Sequence, residues 1–308
     1  MPAPAAPGPP AEPRLKGIVP PLVTPFRADG DLDLASFEAN LESYADEDLG
    51  GYVVLGSNGE AVFLEEGEKL ALIRAARQRA GRRLLLVGTG LESTRATIAF
   101  TRKAADEGAD AALVVTPHYY KSRMTADALQ RHFETVADAS PVPIYLYSIP
   151  SFTGLAWPPG LAGALAAHPR IVGMKESAGD LGLIGRIVAS VPPSFSVICG
   201  SAPVMYPALC VGAAAGILAV ADCAPGPAAA LYAAFQAGDH AEARRLQEAL
   251  TPLAVAVTST HGIAGLKMAM DLAGRRGGAV RSPLLGVPPA AREELRGLLA
   301  RAEAACPR

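Results

Sequence analysis

From residue 17 onward, short apolar runs rich in Val, Ile and Leu alternate with longer segments whose apolar positions recur at helical spacing. Eight such runs can be counted, at 17–23, 51–55, 84–88, 111–116, 143–147, 171–175, 195–199 and 216–220. Few polar residues interrupt them, as expected of strands buried on both faces in a parallel sheet covered by crossover helices. Asp33, Ser93, Thr125 and Asp180 stand before the segments 34–49, 94–107, 126–137 and 181–190. Each has a short polar side chain able to accept from the free amides of a first helical turn. Further helices are expected at 65–79, 158–166, 202–211 and 225–237, with Pro158 in a first turn where its missing N–H costs nothing. Eight strand–helix units place the chain in the α/β class and predict a closed (β/α)8 TIM barrel. Helical patterns at 241–256, 265–273 and 290–304 then form a C-terminal extension, 239–308, of a single domain spanning 16–308.

One run ends in a way that the apolar pattern does not require. Ile171-Val172-Gly173-Met174 delivers Lys175, and Glu176-Ser177 follow. A buried ammonium is costly, so such a lysine reaches back to water, pairs with a carboxylate, or gives up its proton and becomes an amine nucleophile. Most lysines so placed are structural. In a (β/α)8 barrel, however, catalytic groups sit at the carboxyl ends of strands, and other chemically capable residues break the apolar runs there. Ser57 and Asn58 follow the second run, Tyr119 and Tyr120 the fourth, and Tyr147 and Ser148 close the fifth. The glycine-flanked Gly56-Ser57-Asn58-Gly59-Glu60 can present backbone N–H groups to a carboxylate, or be an ordinary strand-to-helix turn. Tyr147 reads equally as a core tyrosine, and Tyr119 and Tyr120 as loop aromatics.

Composition narrows the partner. At 308 residues, 50 % hydrophobic and 19 % charged with a net charge of −2, the chain has neither a nucleic-acid footprint nor the balance of a disordered acidic protein. A small-molecule substrate is expected. The four cysteines, Cys199, Cys210, Cys223 and Cys306, and the five histidines, His118, His132, His168, His240 and His261, show no metal-ligand spacing. Neither a metal site nor a disulfide framework is expected, and the first three cysteines read as small hydrophobes. Residues 1–15 open with a Pro/Ala tract that resembles neither a secretory signal nor a transit peptide, and they read as a disordered tail. No uninterrupted apolar run reaches the ~18 residues a membrane helix needs. The expectation is a cytoplasmic protein without a membrane partner.

With Gly56-Ser57-Asn58-Gly59-Glu60, Thr116-Pro117-His118-Tyr119-Tyr120, Tyr147-Ser148-Ile149-Pro150 and Gly173-Met174-Lys175-Glu176-Ser177 in this order, the chain resembles the dihydrodipicolinate synthase/N-acetylneuraminate lyase family of pyruvate-dependent class I aldolases. The match begins near Lys16 and includes Pro21-Leu22-Val23-Thr24-Pro25-Phe26. Within the family it looks most like 4-hydroxy-2-oxoglutarate aldolases, on the Ser-Asn turn, the Tyr-Ser pair and Gly262-Ile263-Ala264-Gly265-Leu266-Lys267.

The resemblance implies a Schiff base between Lys175 and a 2-oxo acid, with no external cofactor. It implies that Tyr147 shuttles protons, that Ser57 links it to Tyr120 of a neighbouring subunit, and that Ser57 and Asn58 hold the pyruvate carboxylate. A homotetramer built as a dimer of dimers follows from that shared site. The activity implied is cleavage of 4-hydroxy-2-oxoglutarate to pyruvate and glyoxylate. The alternatives are 4-hydroxy-tetrahydrodipicolinate synthase, a 2-keto-3-deoxy sugar-acid aldolase, or a barrel that binds a keto acid without catalysis. Phe152 stands where synthases of the family carry an arginine for the carboxylate of aspartate semialdehyde, a contact that a phenyl ring cannot imitate. Ser148 and Ser177 are the hydroxyl candidates for the distal part of the substrate.

Overall fold

Prolines decide where the first strand ends. In the computed structural model, which describes residues 15–306, β1 is Gly17–Val19 and stops before Pro20 and Pro21 rather than running to residue 23, because a proline offers the ladder no donor. The other strands are β2 (Gly51–Val54), β3 (Leu84–Gly88), β4 (Ala111–Val115), β5 (Ile144–Ser148), β6 (Ile171–Glu176), β7 (Ser196–Cys199) and β8 (Ala215–Ile217). All paired strands are parallel, in the order β1-β8-β7-β6-β5-β4-β3-β2. A parallel bridge between Pro21 and Val53, with Leu22 N–H donating to the Val53 carbonyl at 2.9 Å, brings the ends of the sheet together. The result is the expected (β/α)8 barrel.

Side-chain alternation divides the core in two. Val19, Val53, Leu86, Leu113, Tyr145, Val172, Ile198 and Ile217 fill the barrel, and a larger cluster lies between the strands and the surrounding helices. Leu15, which the sequence reading assigns to the tail, belongs to the inner cluster and donates its N–H to the Tyr145 hydroxyl at 3.4 Å. The preceding tract lies outside the described residues.

The four polar residues expected to start helices all do so, each accepting from a first-turn amide. Glu65 and Glu68 form a reciprocal capping box at the start of α2 (Glu66–Ala80). The first helix, α1 (Leu34–Ser43), ends earlier than residue 49. Asp46, Glu47 and Asp48 follow, and carboxylates oppose the negative end of a helix dipole. The segment at 158–166 contains only Leu161–Leu165, and that at 202–211 divides into a 3₁₀ turn, Ala202–Val204, and Met205–Cys210. Cys210 is exposed, against its reading as a buried hydrophobe, whereas Cys199 and Cys223 are buried.

The extension comprises helices His240–Val255, Gly262–Leu272 and Ala291–Ala304, the first two joined by a π-helical turn, Ala256–Thr260. Among the described residues, no helix is long and apolar enough to cross a membrane.

Candidate active site

Lys175 reaches the rim on β6 with 5 % of its surface exposed. Strand register sets it directly beside Tyr147 of β5, and its Nζ lies 4.3 Å from the centre of the tyrosine ring. Among the described residues, no carboxylate lies within ion-pair distance of Lys175. The neighbouring Glu176 turns its carboxylate into its own loop, accepting from the N–H groups of Ala178 at 2.7 Å and Gly179 at 3.2 Å. Burial pushes the Glu176 carboxyl above its ordinary pKa, with those two bonds opposing the rise. On the other side stands Gly200, just after β7. A Cβ there would come within 3.0 Å of Lys175 Cε and 1.9 Å of Ser177 Oγ, so both side chains occupy room that only glycine leaves.

The turn after β2 completes the arrangement. Ser57 Oγ lies 3.2 Å from Tyr147 Oη, so serine and tyrosine form a polar line, and the lysine rests against the face of the tyrosine ring. Ser57 and Asn58 are half-buried. The turn is tight: Gly59 N–H donates to Gly56 O and Glu60 N–H to Ser57 O, both at 3.1 Å, and Thr24 Oγ1 donates to Gly59 O at 2.7 Å. Gly88 of β3 lets the chain pass, since a Cβ there would lie 2.0 Å from Leu55 O.

Ser148 is buried, and its carbonyl accepts from Ser177 N–H at 3.0 Å. Ser177 Oγ is buried with no partner among the described residues, which leaves a hydroxyl available to a bound ligand. Tyr120 and Phe152 are not drawn into this group. They are 69 % and 67 % exposed, and Tyr120 packs edge-to-face on Tyr119 at 5.0 Å, without a hydrogen bond to Ser57 or Tyr147 of its own chain. Glu92 holds that loop, accepting from His118 N–H and Tyr119 N–H at 3.0 and 2.8 Å.

Glu60, Lys267 and Asp222 are buried ionisable groups to which the sequence alone assigns no role. Glu60, last residue of the turn, forms an ion pair of 2.5 Å with Lys267 of helix Gly262–Leu272, and both side chains are 1 % exposed. Burial pushes the Lys267 pKa down, and Glu60 opposes the shift. Its signal was a single cation in the apolar stretch Gly262-Ile263-Ala264-Gly265-Leu266-Lys267-Met268-Ala269-Met270. Cys199 lies beside Glu176 in register, and burial raises its thiol to about 12, which keeps it protonated and unreactive at neutral pH. Asp222, wholly buried after β8, has its carboxyl pushed well above the usual range by burial, with Arg275 opposing. His118, His168 and His261 each meet a carboxylate near the surface, and no group of three His, Cys, Asp or Glu able to hold a metal occurs among the described residues.

This polar line at the mouth of a parallel barrel can be set beside known proteins. Residues 14–302 match the model of the dihydrodipicolinate synthetase family. The chain belongs to that family. Its members are pyruvate-dependent lyases, and the protein is an enzyme of that kind. It is 37 % identical to a 4-hydroxy-tetrahydrodipicolinate synthase from an Exiguobacterium, over 91 % of this chain and 95 % of that one. It is 38 % identical to a protein of the same name from Methanoculleus marisnigri, over 92 % and 98 %. Among solved structures, a prophage protein of the dihydrodipicolinic acid synthase family from E. coli K12, in complex with pyruvate, superposes with a TM-score of 0.86 at 30 % identity, covering 93 % of this chain and 98 % of that one. Membership in the dihydrodipicolinate synthetase family thus extends over the barrel and nearly all of the C-terminal extension.

Proposed function

We propose that the protein is a Schiff-base aldolase that cleaves 4-hydroxy-2-oxoglutarate to pyruvate and glyoxylate. The observation that carries the reading is a lysine at the barrel mouth, removed from water, with no carboxylate within ion-pair distance among the described residues and with Tyr147 and Ser57 beside it. Lys175, as the free amine, attacks the C2 ketone, and loss of water leaves an iminium. That iminium withdraws the electrons of the C3–C4 bond while a base takes the proton of the C4 hydroxyl, so glyoxylate departs and an enamine remains. Protonation of the enamine and hydrolysis then free pyruvate and restore Lys175. Tyr147 carries these protons, and Ser57, 3.2 Å from its hydroxyl, holds it; that contact supports the roles. The amides and side chain at Ser57 and Asn58 bind the 2-oxo acid's carboxylate, and the unpartnered Ser177 hydroxyl, with Ser148 beside it, meets the distal part of the substrate. The exposed Tyr120 fits a relay completed from a neighbouring copy, in a homotetramer with paired sites.

A second reading is condensation of pyruvate with aspartate semialdehyde, favoured by the names of the two relatives. Phe152 weighs against it, since the segment Pro150–Thr153 brings no arginine to the carboxylate of aspartate semialdehyde; the distal carboxylate of 4-hydroxy-2-oxoglutarate needs another anchor, for which Ser148 and Ser177 are the hydroxyl candidates. The test is pyruvate release from 4-hydroxy-2-oxoglutarate by wild type, with Lys175→Ala as blank. Release that is absent from the blank supports cleavage. No release, together with lysine-dependent consumption of pyruvate and aspartate semialdehyde, overturns the first reading in favour of the second.

A further inference from the structure

The Glu60–Lys267 pair has an unusual address. Glu60 closes the Gly56–Glu60 turn with a left-handed backbone, φ 50°, which is unfavourable for a residue other than glycine. Its two carboxylate oxygens face the C-terminal part of the chain, Oε1 to Lys267 Nζ and Oε2 to Arg281 N–H at 2.9 Å. Lys267 is held in turn, donating to Ala279 O at 2.6 Å and lying 4.6 Å from the centre of the Phe26 ring. Arg281 grips Glu68 of α2 through two contacts of 2.6 Å. The turn that bears Ser57 and Asn58 is therefore clamped from behind by residues outside the eight strand–helix units. A buried ion pair is a poor source of net stability, because desolvation offsets most of the attraction. What it does supply is direction: two charges fixed in one geometry hold a backbone that is otherwise strained.

We propose that Glu60 and Lys267 are positioning residues for the carboxylate-binding turn, so that the C-terminal extension sets the affinity of the site for a 2-oxo acid. The proposal rests on the assignment of that turn to substrate carboxylate. Glu60 and Lys267 touch no substrate. They aim the amides of Ser57 and Asn58, and a turn free to rotate binds the carboxylate more weakly without altering the amine that attacks.

The experiment compares wild type, Lys267→Met, Glu60→Gln and, as a destabilised control away from the turn, Leu299→Ala in the last helix, where Leu299 is buried in the outer core. Two quantities are read. One is the pyruvate concentration for half-maximal borohydride trapping on Lys175, with the trapped fraction at saturation. The other is amide exchange across residues 56–60, measured without ligand. The proposal expects a rise of ten-fold or more in half-trapping concentration for both pair variants, an unchanged saturating fraction, and exchange of the turn amides ten-fold faster or more. Leu299→Ala should lose a similar melting temperature with neither change. Half-trapping within two-fold of wild type, unaltered exchange in the turn, or an equal shift in Leu299→Ala would each overturn it. If Lys267→Met does not fold, Glu60→Gln decides. If wild type itself is not trapped by pyruvate, the aldolase reading falls, and turn exchange alone decides whether the pair positions the turn.

Discussion

Among the described residues, two lysines lie almost wholly out of water, and their settings differ in one respect. Lys175 and Lys267 are 5 % and 1 % exposed, and each rests over an aromatic ring, at 4.3 and 4.6 Å. Lys267 has a carboxylate at 2.5 Å, whereas Lys175 has a tyrosine hydroxyl line and no carboxylate. Lys267 meets a carboxylate and serves structure, with burial pushing its pKa down and Glu60 opposing the shift. Lys175 has no carboxylate within ion-pair distance among the described residues and rests on the Tyr147 ring instead. Burial alone therefore does not separate the two lysines; the carboxylate partner does.

The comparison can be broken by exchanging effects between the two sites. The largest expected effect is in Lys175→Ala, which should lower turnover about 10⁴-fold or more, since a nucleophile has no substitute. Pyruvate release and a thermal melt read together should show activity gone and the fold intact. Tyr147→Phe should still allow trapping yet lose about 10²–10⁴-fold in turnover, the usual range for a proton-transfer group; steady-state kinetics beside borohydride trapping separate the two. Lys267→Met removes the counter-ion of Glu60 and leaves it only the Arg281 N–H, at a cost of about 3–5 kcal/mol in denaturant unfolding. Adding Glu60→Gln should recover much of that loss, and a double variant no better than the single would deny that the charge is what matters.

His132 sharpens the contrast with a third solution to the same problem. It is 6 % exposed, bonded through Nδ1 to Thr94 Oγ1 at 2.9 Å, and burial lowers its pKa from 6.5 to about 4, so it stays neutral. As pH falls below 6.5 the unfolded chain takes up a proton that the folded one refuses until about 4. Stability present above that window is lost through it, by roughly 3 kcal/mol. His132→Gln should flatten unfolding free energy against pH between these values.

Much of this was legible in the sequence because it is local. Each of the eight apolar runs became a strand, and Asp33, Ser93, Thr125 and Asp180 cap their helices, since a strand's burial and a cap's hydrogen bond are written within a few residues. Lys175 stood out for the same reason, as a cation closing an apolar run. Two of the boundaries that failed did so where neighbouring chemistry overrode the pattern, at the prolines after Val19 and the acidic run after Ser43; the segments at 158–166 and 202–211 also came out shorter or divided. The Glu60–Lys267 pair was out of reach. Its partners lie at opposite ends of the chain, and no periodicity links a turn after β2 to a helix beyond β8.

The prolines at the end of β1 have a mechanical consequence. Every other seam of the ring is a paired ladder, but β1 and β2 meet through the Pro21–Val53 bridge and three backbone bonds, Gly50 to Ile18, Val53 to Pro20 and Leu22 to Val53. A closed ring opens where the fewest bonds must break at once. A strand order drawn as a line has its natural ends between β1 and β2, and that seam, with the β7–β8 ladder of two residue pairs, is one of the two where force or denaturant should first open the barrel.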